Sequence, residues 1–128
     1  MLLLDTDIMV DVLRRYAPAI AWLNSLSDQV AVPGYVAMEL FQGCRNKSEQ
    51  ERVQKVLRDF VIVWLLADAC DQALSVFASA SLSHNLGILD ALIGQLAVSL
   101  NLPLHTFNDK HYAAIPNLKT AQPYVREL

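Results

Sequence analysis

Residues 87–101, Gly-Ile-Leu-Asp-Ala-Leu-Ile-Gly-Gln-Leu-Ala-Val-Ser-Leu-Asn, constrain this chain more than any other stretch. They are long enough for a helix of about four turns. Ile88, Leu89, Ala91, Leu92, Ile93, Leu96, Ala97, Val98 and Leu100 point in almost every direction around it. A helix that is apolar on most of its circumference belongs between other elements, not on a surface. Yet Asp90 stands in its first turn, between Leu89 and Ala91. An ionised carboxylate in such surroundings is costly unless a cation or hydrogen-bond donors compensate it. The rest of the chain must supply that compensation.

Elsewhere short apolar runs alternate with helical stretches. Residues 1–4 fit a central parallel strand covered on both faces, and residues 30–32, 61–66 and 103–106 read as further strands. Residues 118–120 suit a last edge strand. Helices are expected over about 8–16, 18–26, 35–45, 49–60 and 68–82, besides the apolar one. Asp7 is placed to cap the first, Asp11 and Arg15 to pair along it, and Ser48 with Glu51 to form a capping box for the fourth. This alternation predicts an α/β fold: one domain over residues 1–128, a three-layer α/β/α sandwich around a central parallel sheet of four or five short strands.

Composition narrows the function. With 128 residues, 54% of them apolar and 18% charged, the chain can bury a full core and has apolar surface to spare for a partner. The apolar run over residues 61–67 is far short of the roughly 20 residues of a membrane span. No cationic start leads into an apolar stretch with a cleavage site, so a cytoplasmic protein beginning at Met1 is expected. Cys44 and Cys70 stand apart, with no histidine at ligand spacing; they read as free thiols, and zinc is set aside. The formal charge of −3 argues against a broadly basic nucleic-acid-coating surface. It leaves room for a nuclease whose acids cluster at a metal.

Three carboxylates interrupt apolar patterns in the same way: Asp5 at the end of the first strand, Glu39 in Ala-Met-Glu-Leu-Phe, and Asp90. A fourth region, Thr106-Phe-Asn-Asp109, follows the strand after the apolar helix. If the strands of Asp5 and Thr106 are neighbours, these sites meet at the carboxyl edge of the sheet, where open α/β folds place ligands. Oxygen ligands without histidine or cysteine suit Mg²⁺ or Mn²⁺. One or two such ions acidify a water and neutralise a phosphodiester during in-line displacement, with no protein nucleophile required. None is evident, and the glycines form no phosphate loop.

Four stretches, Leu3-Leu-Asp-Thr-Asp-Ile8, Ala37-Met-Glu-Leu-Phe-Gln-Gly43, Asn85-Leu-Gly-Ile-Leu-Asp-Ala-Leu-Ile93 and Leu104-His-Thr-Phe-Asn108, resemble in order the motifs of the PIN domain. More narrowly, the chain is similar to the compact VapC-type toxin ribonucleases of toxin–antitoxin operons. The likeness extends through residues 111–118. Asp5, Glu39 and Asp90 match that family's first three metal-site acids. The fourth acid there follows a threonine by two residues; here Thr106 is in place, Asn108 holds the acid position, and Asp109 comes one residue later. The resemblance implies a Mg²⁺- or Mn²⁺-dependent endoribonuclease that leaves a 5′-phosphate and a 3′-hydroxyl. It also implies a homodimer inhibited by a small antitoxin. One well-held ion is expected, with Asn108 or Asp109 completing its shell through water.

Two other readings stand beside this one. A degenerate PIN-like module would bind RNA or protein without cleaving, and Asn108 would be its symptom. An aspartyl-phosphate phosphatase shares the Asp5-Thr-Asp7 pattern, but Ile8-Met9 follows where Gly-Thr is usual. Arg14, Arg15, Arg45, Lys47 and Lys110 are candidate RNA-backbone contacts, each with solvated surface charge as the bland account. His84, His105 and His111 read as surface or turn residues.

Overall fold

Leu2–Leu4 forms β1. Leu3 and Leu4 point to opposite faces, as successive strand residues do, and both are wholly excluded from solvent. Both faces of this strand are therefore covered, as its unbroken apolar run requires. The computed structural model describes residues 1–126. Among them it forms six α-helices and a parallel sheet of five strands, the expected three-layer α/β/α arrangement.

The chain runs through α1 (Thr6–Leu13), α2 (Ala17–Ser25), β2 (Val30–Pro33), α3 (Gly34–Gln42), α4 (Lys47–Leu57) and β3 (Val61–Val63). It continues through α5 (Ala67–Ala80), α6 (Ile88–Leu100), β4 (Leu104–His105), a 3₁₀ turn at Asp109–Tyr112 and β5 (Thr120–Ala121). The strand order is β3-β2-β1-β4-β5. Leu3 pairs with Leu104 and Leu4 with His105, so the strands leading to Asp5 and Thr106 are neighbours. Connections leave β1 toward β2 on one side, while β4 lies on its other side. The carboxyl ends of β1 and β4 thus flank the point where strand order reverses, which is where such sheets open a crevice.

Several local expectations shift. Asp5, not Asp7, is the N-cap of α1, because its own amide still pairs with His105 O (3.0 Å) and the helix starts only at Thr6. Arg15 does not pair with Asp11: α1 ends at Leu13 and Arg15 takes a left-handed φ of 56°. Asn46 caps α4 by accepting the Glu49 amide (2.9 Å), in place of the Ser48–Glu51 box. β3 stops at Val63, three residues short of the expected strand end, and the last strand is displaced to Thr120–Ala121. Cys44 and Cys70 are both free.

α6 lies against α5, α3 and the 3₁₀ turn. Ala91, Ile93, Gly94, Leu96 and Ala97 are buried, while Ile88 and Leu100 at its ends are exposed. A Cβ at Gly94 would run into Ile115 Cδ1 and force that side chain to shift, so the helix and the segment after the 3₁₀ turn touch backbone to side chain. Asn101 closes the helix in the left-handed conformation that suits asparagine. Among the described residues, no helix is long and apolar enough to cross a membrane.

Candidate active site at the carboxyl edge of the sheet

Asp5 is 4% exposed and sits where β1 hands over to α1. Its Oδ1 accepts the Thr6 amide (2.7 Å) and the Tyr112 hydroxyl (3.0 Å); its Oδ2 accepts the Thr106 hydroxyl (2.8 Å). Burial, and then the neighbouring charge of Asp7, push its pKa up to about 6, against the pull of those three donors. The carboxylate therefore holds its charge at neutral pH only with a modest margin. A cation beside it would favour the ionised form.

Glu39 is brought to the same corner by α3, one turn before its end, and accepts the Thr6 hydroxyl (2.9 Å). Asp90, in the first turn of α6, accepts the Gly87 amide (3.3 Å), the reciprocal half of a capping box whose other half glycine cannot supply. Its Oδ2 also lies 2.7 Å from His111 Nε2. These contacts answer what compensates Asp90 among the apolar residues of α6. Tyr112 stands amid all three acids. Its phenol is driven far above the ordinary range by burial and by the charges of Asp5, Asp90 and Glu39.

Thr106 is almost fully buried, and its hydroxyl does double duty: it donates to Asp5 and accepts the Asn108 amide (3.0 Å). Asn108 and Asp109 are exposed at the start of the 3₁₀ turn. Among the described residues, no three acid, histidine or cysteine side chains are drawn tightly enough together to hold an ion as they stand. Asp5, Glu39 and Asp90 each accept from a protein donor. The donor set itself fits a hard cation. It is all oxygen at its centre, rich in negative charge, and includes a buried acid whose charged form a cation would stabilise.

Four contributors were missed by sequence reasoning. Asp7 does not cap α1; its Oδ2 accepts the Phe107 amide (2.8 Å) and lies 3.4 Å from the Thr106 hydroxyl, so it holds the loop after β4. Burial raises its pKa as well. Thr6, Tyr112 and His111 donate to, or pair with, the three acids. The residue types gave some signal, since a tyrosine and a histidine adjoin the fourth motif, but no spacing rule ties residues 111 and 112 to Asp90 and Asp5. Of the cations suspected of touching RNA, Arg14 and Arg45 line, together with Arg52, a cleft of about 450 Å³ that leads away from Thr6 and Glu39. A second cleft, of about 540 Å³, opens between Asp7, Asp11, Arg14 and Arg126.

With this geometry in place, the chain can be set beside known proteins. It matches the PIN domain family over residues 2–117. Among solved structures it is similar to a toxin–antitoxin complex from Klebsiella pneumoniae, with 26% identity over 97% of this chain and 98% of that one, at a TM-score of 0.76. VapBC2 from Rickettsia felis, bound to a DNA fragment from their promoter, shares the fold at 24% identity, 93% and 96% coverage, and a TM-score of 0.80. FitAcB from Neisseria gonorrhoeae does so at 22% identity, 96% and 98% coverage, and a TM-score of 0.74. No curated protein matches the chain.

Proposed function

This chain belongs to the PIN domain family, and from that premise we propose that it is the toxin of a toxin–antitoxin pair, a metal-dependent endoribonuclease that hydrolyses RNA phosphodiester bonds. The observation that carries the reading is the run of contacts linking the three acids at the switch point of the sheet: Thr6 bonds both Asp5 and Glu39, and the adjacent His111 and Tyr112 reach Asp90 and Asp5. Asp5, Glu39 and Asp90 would hold one Mg²⁺ or Mn²⁺, with Asn108 or Asp109 contributing through water. Such an ion supplies acidification of a water and neutralisation of phosphodiester charge.

The remaining work falls to the chain. Thr106 and Tyr112 aim both oxygens of Asp5 by hydrogen bonds, and Thr6 aims Glu39. His111 lies against Asp90 at the exposed rim, where a substrate strand would pass. The Arg14, Arg45 and Arg52 cleft gives a backbone of phosphates an exit from Glu39. A small antitoxin would block the acidic crevice, in keeping with the toxin–antitoxin complex this chain is similar to. A homodimer is supported by the apolar residues Trp64, Leu66 and Leu100, which share one exposed hollow.

The test is cleavage of total RNA by purified protein with and without Mn²⁺, alongside Asp5→Asn and Asp90→Asn. In Asp5→Asn the amide oxygen can keep the Thr6 and Tyr112 bonds while its NH2 donates to the Thr106 hydroxyl, and in Asp90→Asn the oxygen can keep the Gly87 amide, so both variants should fold. Cleavage should require the metal and vanish in each variant. Undiminished metal-dependent cleavage in either one defeats the assignment. The alternative, a non-cleaving RNA- or protein-binding module, is favoured by Asn108 at the fourth position. It predicts RNA affinity indifferent to Mn²⁺ and no cleavage in the unaltered protein.

A further inference from the structure

Asp11 is 8% exposed and stands on the second turn of α1, one turn after Asp7 and lining the same cleft. Its partners come from the far end of the described chain. Tyr124 donates its hydroxyl to Asp11 Oδ2 (2.7 Å), and Arg126 Nε donates to the same oxygen (3.0 Å). Arg126 also donates from its terminal nitrogen to the Asp7 carbonyl (3.3 Å). The guanidinium carbon then lies 4.0 Å from the centre of the Phe107 ring. Tyr124 closes on the same ring edge to face, with centroids 5.1 Å apart and planes at 66°.

Phe107 is the residue between Thr106 and Asn108, and its amide is the one held by Asp7 (2.8 Å). The contacts therefore form a closed circuit. Asp11 holds Arg126 and Tyr124, these grip the Phe107 side chain, and Asp7 grips the Phe107 backbone. Inside that circuit lies the peptide that fixes Thr106 against Asp5 and leads on to Asn108 and Asp109. A partly buried ion pair adds little stability over an apolar replacement. Arg126 instead uses a planar fork and a stacking face at once, which lysine cannot reproduce. Such an arrangement fixes geometry.

We propose that Asp11, Tyr124 and Arg126 are positioning residues: segment 122–126 clamps Phe107 so that the Thr106–Asp109 loop holds its place beside Asp5 during cleavage. The clamp touches neither the scissile phosphate nor the ion. It acts on turnover through the loop, and it rests on the nuclease reading above.

The experiment compares the full chain with Arg126→Ala, Arg126→Lys and Tyr124→Phe. It measures Mn²⁺-dependent cleavage of a single-stranded RNA oligonucleotide, and hydrogen exchange at the Phe107 and Asn108 amides. Misplacing a loop by about an ångström can cost on the order of a hundredfold in rate. For Arg126→Ala we expect kcat to fall roughly ten- to a hundredfold, with KM changed less than about twofold and Phe107 exchange accelerated. Arg126→Lys should recover part of kcat, and Tyr124→Phe should fall between. A kcat for folded Arg126→Ala within about twofold of the unaltered chain overturns the proposal, whatever the change in melting temperature. If Arg126→Ala does not fold, unaltered kcat in both other variants overturns it equally. A rise in KM alone would make Arg126 a direct RNA contact and also overturn it. Should the unaltered protein cleave nothing, the nuclease reading and the role in turnover fall together; unchanged Phe107 exchange would then remove the clamp as well.

Discussion

Asp5 ends a strand, caps a helix and is buried at the carboxyl edge of the sheet, and these circumstances pull its ionisation in opposite directions. Burial and Asp7 hold its pKa at about 6, above the 3.8 of an unconstrained aspartate. Between those two values the folded chain binds a proton that the unfolded chain has released. Stability attributable to Asp5 is therefore full below about pH 4 and is lost as pH rises through about 6. The window spans roughly two pH units, on the order of 3 kcal/mol. Denaturation in a metal chelator should show the native state weakening from about pH 4 to about pH 6, and Asp5→Asn should flatten that trend. Mn²⁺ should flatten it too, and its own affinity should drop below about pH 6. Asp7, raised by burial, adds in the same direction. The location of Asp5 at the end of β1 was legible from the apolar run before it. The role of Asp7 was not, because capping rules cannot tell two aspartates two residues apart until the strand's last hydrogen bond, to His105, is known.

Among the elements, α6 was the most readable, since its apolar circumference leaves one kind of location open to it. What pattern could not convey is how closely it is approached. A methyl at Gly94 meets Ile115, and one at Gly34 meets the Trp64 ring. Gly94→Ala should destabilise by about 1–3 kcal/mol in urea denaturation, the usual cost of overfilling a packed site. The start of α4 gives a sharper contrast. Asn46→Ala should cost about 1 kcal/mol, because Asn46 holds the Glu49 amide, whereas Ser48→Ala should cost little. A capping box and a simple asparagine cap two residues earlier are equally good local sequences. Which one forms depends on how the chain leaves α3, where Arg45 is tied to Glu49 (3.0 Å).

For the assembled molecule, the exposed apolar residues are unevenly placed. Trp64 (50%), Leu66 (77%) and Leu100 (38%) lie together beside the β3 edge. Apolar surface gathered in this way marks an interaction face. On the homodimer reading, sedimentation should give twice the chain mass, and Leu66→Glu with Leu100→Glu should give the monomer without loss of helical signal. A monomeric unaltered chain at micromolar concentration would count against that face as a self-interface.

Local pattern was enough to establish the alternation of strands and helices, the central place of β1 and α6, and the suspicion attached to Asp5, Glu39 and Asp90. Hydrophobic periodicity and a misplaced charge are properties of neighbours along the chain, so they can be read there. The pairing of β1 with β4, the exchange of roles between Asp5 and Asp7, the insertion of Tyr112 among three acids, and the grip of Arg126 on Phe107 join residues about a hundred positions apart or depend on such pairings. No local preference encodes those contacts. They follow from which strands end side by side and from the need of every buried polar group there for a partner.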